Sequence, residues 1–202
     1  MYYSATSRED FLKHVQPLVG KNSVCVEVGV EDGFFSEMIL NEINPRQLFL
    51  VDPWEVGSDK NSTEKSYKEI DNLPTAYSDE RMLEKVKEKF SDQIENNKII
   101  IKKGFSYDIV DEFPDDFFDF IYIDACHLYE SVKADLKMFL PKLKAGGLMC
   151  GHDYLDKYGF GVVQAVNEFV VDNNFELITL HTIQEGQWGS RMGAGDFALK
   201  RL

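Results

Sequence analysis

The chain has few cysteines and a deficit of basic residues, and each shortage excludes a class of protein. Cys25, Cys126 and Cys150 lack the spacing of a zinc site or redox motif, so we expect free thiols in a reducing compartment. Lysine and arginine together number 22 against 35 acidic residues, which gives a net charge of −13. Proteins that bind nucleic-acid phosphates usually present a basic face, so no nucleic-acid partner is expected.

The chain also lacks any continuous apolar run long enough to span a bilayer. Its first residues lack the basic flank and apolar core of a signal peptide. We therefore expect a cytoplasmic protein with no membrane partner. The 202 residues, of which 44% are hydrophobic and 28% charged, predict a single globular domain over residues 1–202.

The most informative segment is 24–52. Its pattern predicts a buried strand, a glycine turn, a helix and a second strand that ends at Asp52. In such a strand–turn–helix unit the terminal acid can bind the two ribose hydroxyls of a nucleoside. A nucleoside cofactor is therefore the first hypothesis for this chain.

The turn contains Gly29 and Gly33 but lacks the middle glycine that brings the backbone against a dinucleotide pyrophosphate. Carboxylates crowd the same place and would repel two phosphates; they belong to Glu27, Glu31, Asp32 and Glu37. S-adenosylmethionine suits this loop better, because it has a sulfonium and an ammonium but no phosphate. A nucleotide-dependent oxidoreductase is the less favoured alternative.

Helices and strands alternate along the chain, which predicts a mostly parallel sheet with helices on both faces. The predicted helices cover about 8–18, 34–41, 80–95, 132–143 and 162–171. The seven predicted strands cover about 23–29, 47–52, 98–102, 118–124, 148–151, 175–180 and 196–200.

Polar residues follow the ends of five predicted strands. Ligands of open α/β sheets bind at the carboxyl ends of the strands, and acids placed there need partners or a ligand. The residues at these ends are Glu27, Gly29, Asp52, Phe105, Ser106, Asp124, His127, His152 and Asp153. They define the candidate site.

Two sequence motifs carry a resemblance to a known family. Residues 121–127 read Ile-Tyr-Ile-Asp-Ala-Cys-His, and residues 143–154 read Leu-Lys-Ala-Gly-Gly-Leu-Met-Cys-Gly-His-Asp-Tyr. Over about residues 22–172 the chain resembles the class I S-adenosylmethionine-dependent methyltransferases, most closely the macrocin and mycinamicin-type sugar O-methyltransferases. The resemblance implies a Rossmann-like α/β sandwich, with a mostly parallel seven-stranded sheet and an antiparallel last strand.

The resemblance also implies roles for the site residues. Glu27, Gly29 and Gly33 would border the methionine part of S-adenosylmethionine, and Asp52 would bind its ribose. Phe105 and Ser106 would contact adenine. The full set of expected cofactor-binding residues is Glu27, Gly29, Gly33, Asp52, Phe105, Ser106 and Asp124.

In the sugar methyltransferases an acid and a following acidic pair hold a divalent cation. The corresponding residues here are Asp124, His152 and Asp153, which makes them the expected ligands of Mg²⁺ or Mn²⁺. His152 departs from the acid found in some members, and imidazole is not a favoured ligand of Mg²⁺. His152 is therefore open to three roles: ligand of a softer metal, support for a ligand, or contact with the substrate.

The expected reaction is in-line methyl transfer to a hydroxyl of a small molecule, a sugar or glycosylated metabolite. Asp124 and His127 are the expected catalytic residues, with His127 as a base because neutral imidazole is available near neutral pH. A purely structural His127 is the competing interpretation. His14 and His181, which have no partner motif, are expected to be structural.

Other expectations concern the loops and surface. Segment 54–79 is long for a connection and is a candidate lid. Segment 183–194, with Trp188 and Arg191, is a candidate wall of the acceptor pocket. Apolar residues near Phe11 and Leu12 are candidates for an interface, so the sequence leaves open whether the protein is a monomer or a homo-oligomer. A non-catalytic S-adenosylmethionine-binding or scaffold protein is the other alternative.

Overall fold

The computed structural model describes residues 2–55, 79–155, 159–181 and 195–202. Within them, eight strands form one sheet. In chain order the strands are β1 (Tyr3–Ala5), β2 (Val24–Val28), β3 (Gln47–Asp52), β4 (Ile99–Lys103), β5 (Phe118–Ile123), β6 (Leu143–Gly151), β7 (Phe175–His181) and β8 (Phe197–Arg201). Their order across the sheet is β1-β7-β8-β6-β5-β2-β3-β4.

Seven α-helices accompany the sheet in the described part of the chain. They are α1 (Arg8–Val19), α2 (Phe34–Glu42), α3 (Glu80–Lys89), α4 (Ser91–Glu95), α5 (Ser106–Ile109), α6 (Tyr129–Phe139) and α7 (Val162–Asn173). The expected start of α1 is confirmed, because the Ser7 hydroxyl accepts a hydrogen bond from the Asp10 N–H at 3.0 Å. The predicted helix over 80–95 is instead two helices, which meet at the non-helical Phe90.

The predicted sheet direction is confirmed. β8 runs antiparallel to its neighbours β6 and β7, and the other pairs are parallel. The predicted count of seven strands was one short, because β1 also joins the sheet, beside β7. With only three residues, β1 is too short to show a periodic pattern.

Apolar clusters cover both faces of the sheet. On one face Phe11 and Leu12 of α1 pack with residues of α2 and α3. On the other face Val132 of α6 and Val166 of α7 pack against the central strands. Every residue of β2 is buried, as expected for a parallel strand covered on both sides.

The burial of Phe11 and Leu12 corrects one expectation. Both side chains are fully buried, so neither offers a surface for association with a second copy. They lie on the face of α1 that is turned to the sheet. The cysteines, by contrast, are free thiols as expected.

None of the described helices combines the length and the apolar character needed to cross a bilayer. The candidate lid falls largely on 56–78, which lies outside the described residues, and so does the candidate pocket wall at 183–194.

Candidate functional site

The order of the strands determines where the site lies. β2 and β5 are neighbours at the centre, and the chain moves outward from them in opposite directions, to β3 and β4 on one side and to β6 and β8 on the other. Such a switch point leaves a crevice at the carboxyl ends of the strands, where ligands of open α/β sheets bind. The expected site residues follow β2, β3, β4, β5 and β6 at this edge.

The glycines of the first turn are required by backbone packing. Gly29 has a φ of 89°, and a Cβ added to it would lie 2.0 Å from the carbonyl oxygen of Asp124. Gly33 has a φ of 75°, and a Cβ there would lie 2.7 Å from the Phe90 ring. Both φ values are positive, a conformation that glycine adopts without strain. The absence of a side chain at these two positions therefore lets the turn pack against the end of β5 and against Phe90, whatever ligand it binds.

Asp52 shapes the same turn from the end of β3. Its Oδ2 accepts hydrogen bonds from the backbone N–H groups of Val30 at 2.8 Å and Glu31 at 3.1 Å. Its Oδ1 accepts one from the Trp54 N–H at 2.7 Å, and the Trp54 indole donates to the Glu31 carbonyl at 2.9 Å. The acid that the sequence assigns to a ribose is thus also the anchor of the glycine turn.

Glu27 is a buried acid at the end of β2. Only 1% of the residue is exposed, and its Oε2 accepts a hydrogen bond from the Ser36 hydroxyl of α2. Burial raises the pKa of Glu27 to about 8, although the Ser36 hydrogen bond opposes that rise. A positively charged group placed beside it would favour the ionised form.

The shifted pKa of Glu27 predicts a stability change for Glu27→Gln. Because the folded-state pKa is raised, the stability linked to protonated Glu27 is complete below pH 4.5 and is lost as the pH rises towards about 8. Glutamine keeps an acceptor for Ser36 and does not titrate. We expect the ligand-free variant to exceed the wild type in unfolding free energy by up to about 5 kcal/mol above pH 8, at about 1.4 kcal/mol per pKa unit.

Urea denaturation of both proteins at a series of pH values between 4 and 9 measures this difference directly. Other titrating groups are common to the two proteins, so they largely cancel. A stability difference that does not change with pH would contradict the assignment of the raised pKa to Glu27.

The structure brings four of the predicted residues into contact, and we call Asp124, His127, His152 and Asp153 the histidine–aspartate cluster. His127 Nε2 lies 2.9 Å from Asp153 Oδ2 and 3.5 Å from Asp124 Oδ1. His152 Nδ1 lies 3.4 Å from Asp153 Oδ2 and 3.5 Å from Asp124 Oδ2. Two imidazoles thus lie against the same two carboxylates.

Mutual contact determines the charges within the histidine–aspartate cluster. Burial alone would lower the pKa of His127, but hydrogen bonds to Asp124 and Asp153 raise it to about 10. Burial likewise opposes protonation of His152, yet the Asp124 charge raises its pKa to about 9. Burial would raise the pKa of each aspartate, and the histidines instead hold both well below the ordinary range.

These pKa values correct the expectation that His127 is neutral near neutral pH. The raised pKa of His127 favours its doubly protonated form in the ligand-free protein, and that form donates hydrogen bonds and does not act as a base. The sequence expectation used the ordinary pKa of histidine. It missed that two carboxylates would contact one imidazole nitrogen.

Part of the histidine–aspartate cluster has the chemistry of a cation site. Asp124, His152 and Asp153 each offer a ligand atom, and these atoms lie within 4.8 Å of one another. His152 Nε2 is buried and makes no hydrogen bond to any residue that the structure describes. Two carboxylates and an imidazole fit a divalent cation that accepts nitrogen ligands.

Phe105 and Ser106 follow β4 but lie apart from the contacts of the histidine–aspartate cluster. The Ser106 hydroxyl donates to Asp135 Oδ1 of α6 at 2.6 Å. The Phe105 ring stacks on Tyr107, with 5.2 Å between the ring centroids. Both residues follow β4, which pairs with β3 up to Asp52.

Sequence reasoning missed four polar residues behind Asp124, and we call Arg8, Tyr122, His181 and Asp196 the buried arginine cluster. His181, which has no partner motif in the sequence and is expected to be structural, has its Nδ1 2.7 Å from Asp196 Oδ2. Arg8 and Asp196 are hydrogen-bonded although 188 positions separate them. No local pattern could have shown this contact. His14, expected to be structural, stacks on Tyr3.

The fold and site define a class. An eight-stranded sheet with a switch point, one antiparallel strand and an acidic ligand crevice is the Rossmann-like architecture of class I methyltransferases. Residues 26–154 match the family described as a methyltransferase domain, and the chain belongs to that family. No curated protein matches the chain.

Solved structures with the same fold have diverse descriptions. An O-methyltransferase from Bacillus cereus in complex with SAH (S-adenosylhomocysteine) has a TM-score of 0.62 at 14% identity, over 96% of this chain and 80% of that one. An rRNA methylase from Streptococcus thermophilus has a TM-score of 0.60 at 13% identity, over 96% and 93%. A precorrin 8W decarboxylase from Methanobacterium thermoautotrophicum has a TM-score of 0.61 at 14% identity, over 96% and 90%. At these identities the likeness shows the fold alone.

Proposed function

We propose that the protein transfers a methyl group from S-adenosylmethionine to a hydroxyl of a small molecule, a sugar or glycosylated metabolite. The observation that carries this proposal is the convergence of the histidine–aspartate cluster beside the acidic glycine turn. Membership of a methyltransferase family supports the reaction class. The B. cereus O-methyltransferase has the same fold at 14% identity, which does not determine the acceptor atom.

The proposed cofactor position follows from the charges of the crevice. S-adenosylmethionine supplies the electrophilic methyl group when it is bound. We propose that Glu27 pairs with its ammonium and that Asp52 accepts hydrogen bonds from its ribose. Gly29 and Gly33 would allow the turn to lie close to it, and Phe105 and Ser106 would contact adenine. The acidic turn would disfavour a dinucleotide with two phosphates.

Asp124, His152 and Asp153 are the residues that would hold a divalent cation. Such an ion lowers the pKa of a bound hydroxyl and orients it when it is present. Because one ligand is imidazole, Mn²⁺ suits the set better than Mg²⁺, which prefers oxygen ligands.

His127 is proposed to contact the acceptor. Its Nε2 lies 2.9 Å from Asp153 Oδ2 and 3.5 Å from Asp124 Oδ1. The Phe160 ring packs near the imidazole, with 4.6 Å between the ring centroids. These contacts hold the imidazole beside Asp124, where the acceptor hydroxyl is proposed to bind.

A small-molecule acceptor is favoured over a nucleic acid by the net charge of −13. Similarity to an rRNA methylase at 13% identity does not bear on the substrate. Association into a homo-oligomer is also proposed, but Phe11 and Leu12 would not lie in its interface, because both are buried.

The test is a calorimetric titration of S-adenosylhomocysteine into the metal-stripped full chain, repeated with Mn²⁺ and with Mg²⁺. Binding supports the cofactor class and directs an acceptor screen to sugars and hydroxylated metabolites. Tight binding of a reduced nicotinamide dinucleotide, with none of S-adenosylhomocysteine, would favour an oxidoreductase. Binding without methyl transfer to any acceptor would favour a non-catalytic protein.

For Asp52→Asn we expect the dissociation constant of S-adenosylhomocysteine to rise at least about tenfold, because a charge-assisted pair to the ribose is lost. Asparagine is preferable to alanine here, since its oxygen still accepts from the Val30 and Glu31 N–H groups, although its amide nitrogen then faces the Trp54 N–H. The matched control is Asp92→Asn, an exposed aspartate in α4. Unchanged affinity in Asp52→Asn would remove the ribose from the proposal.

A further inference from the structure

The buried arginine cluster adjoins the proposed cation site at Asp124, and none of its four residues is a proposed ligand of the cation. Arg8 is only 3% exposed, and Asp196 and Tyr122 are fully buried. Arg8 Nε donates to Asp196 Oδ1 at 3.2 Å, and Arg8 Nη2 donates to the Tyr122 hydroxyl at 2.5 Å. The Tyr122 hydroxyl in turn donates to Asp196 Oδ1 at 2.5 Å. These contacts close a triangle that determines the direction of the guanidinium.

On its other side Arg8 contacts the site. Its Nη2 lies 3.8 Å from Asp124 Oδ2, and its guanidinium lies over the Phe35 ring at 4.0 Å from the centroid. Phe35 precedes Ser36, whose hydroxyl holds Glu27. The Arg8 guanidinium thus lies between Asp124, which is proposed to bind the metal, and α2. This helix carries Ser36, the hydrogen-bond partner of Glu27, which is proposed to bind the cofactor.

Stability alone is a weak reason for such an arrangement. Moving a guanidinium and a carboxylate out of water is unfavourable by several kcal/mol per ion, and their attraction offsets little more than that amount. The arrangement does fix geometry. The planar guanidinium contacts Tyr122, Asp196 and Phe35 at once. Its Nη2 forms an ion pair at 3.8 Å with Asp124 Oδ2, which also lies 3.5 Å from His152 Nδ1, while Asp124 Oδ1 faces His127.

We propose that Arg8 is the positioning residue of Asp124: held by Tyr122 and Asp196, it fixes the carboxylate of Asp124 in the orientation that binds a divalent cation. This inference rests on the proposed function, because the cation site is part of it. Arg8 is the first residue of α1, so this helix contributes to the proposed site through the contact of Arg8 with Asp124.

The test compares Arg8→Lys with the wild type by titrating Mn²⁺ alone and S-adenosylhomocysteine alone into the metal-stripped full chain. Lysine keeps the positive charge but cannot satisfy Tyr122, Asp196 and Asp124 together, since it lacks the planar fork. We expect the dissociation constant for Mn²⁺ to rise by about 10- to 100-fold, as for residues that orient a metal ligand. The dissociation constant for S-adenosylhomocysteine should stay within about threefold, less than 1 kcal/mol.

Two further variants complete the design. Arg46→Lys makes the same substitution at an exposed arginine and should bind both probes as the wild type does. Tyr122→Phe keeps Arg8 and removes only the hydroxyl that it contacts, so it should weaken Mn²⁺ binding in the same direction but less. Tyr122→Phe decides the question if Arg8→Lys does not fold, which thermal denaturation followed by circular dichroism would show.

Each result has a distinct meaning. Wild-type affinity for Mn²⁺ in both Arg8→Lys and Tyr122→Phe overturns the positioning role and leaves the proposed function intact. Equal losses of Mn²⁺ and S-adenosylhomocysteine also overturn it, because they show a structural role. A wild type that binds S-adenosylhomocysteine but no Mn²⁺ removes the cation and this inference together. A wild type that binds neither probe overturns the proposed function itself.

Discussion

Asp124→Asn is expected to raise the dissociation constant for Mn²⁺ at least about 100-fold, equivalent to about 2.7 kcal/mol. The substitution removes one of two carboxylates from the proposed cation site and leaves His127, His152 and Arg8 around a neutral amide. Methyl transfer to an identified acceptor should fall by a similar or larger factor, because the same residue is proposed to face the acceptor. Calorimetry with Mn²⁺ gives the first value, and single-turnover kinetics the second.

The variant should remain folded. Asparagine has the shape of aspartate, and the backbone N–H of Asp124 keeps its hydrogen bond to the Val28 carbonyl at 2.7 Å. We expect a loss of about 1 to 3 kcal/mol in unfolding free energy from the weakened buried contacts. Asp111→Asn, at an exposed residue far from these contacts, is the matched control. If Asp124→Asn bound Mn²⁺ and transferred methyl groups as the wild type does, the metal-assisted mechanism would be wrong.

Gly29→Ala is expected to reduce the unfolding free energy by more than about 4 kcal/mol, the range of severe single substitutions. A methyl group would lie 2.0 Å from the Asp124 carbonyl oxygen, so β2 and β5 must separate at the centre of the sheet. The left-handed φ of 89° adds strain for any residue with a Cβ. Urea denaturation without ligand measures this loss and separates packing from cofactor binding.

Gly20→Ala separates the two causes of that loss. Gly20 ends α1 with a φ of 83°, close to that of Gly29, but a Cβ there would meet nothing within 4 Å. Its replacement should therefore reduce the unfolding free energy only by the backbone strain, about 1 to 3 kcal/mol. Equal losses in Gly20→Ala and Gly29→Ala would show that backbone strain alone explains the requirement for glycine.

The fold could be predicted largely from local patterns. β3 lies at the expected residues 47–52, and α1 begins after the expected cap at Ser7. Both predictions rest on signals within a few residues. β3 is an apolar run that ends in the acid Asp52, and the Ser7 hydroxyl can accept a hydrogen bond from the N–H of Asp10, three residues later. β1 and the break at Phe90 were missed, because pairing at a sheet edge and a single non-helical residue leave no periodic signal.

The candidate site was predictable in its members and not in its charges. The rule that strand ends share one edge of a parallel sheet brought together Asp124, His127, His152 and Asp153. That rule gives no distances, and the distances decide that His127 Nε2 contacts two carboxylates and holds its proton. The raised pKa of His127 opposes the neutral form that histidine's ordinary pKa predicts, and its role as a base stays a prediction.

A mostly parallel α/β sheet, an acidic and glycine-dependent first turn, and acids and histidines after the strands could all be predicted from the amino-acid sequence. Those properties depend on neighbouring residues and on strand periodicity. The contact of Arg8 with Asp124, the anchoring of the turn by Asp52 and the shifted pKa values of the site residues emerged only from the folded structure. Contacts between distant residues and the burial of charges arise only when the chain packs, because both depend on the separation of groups in space and not along the chain.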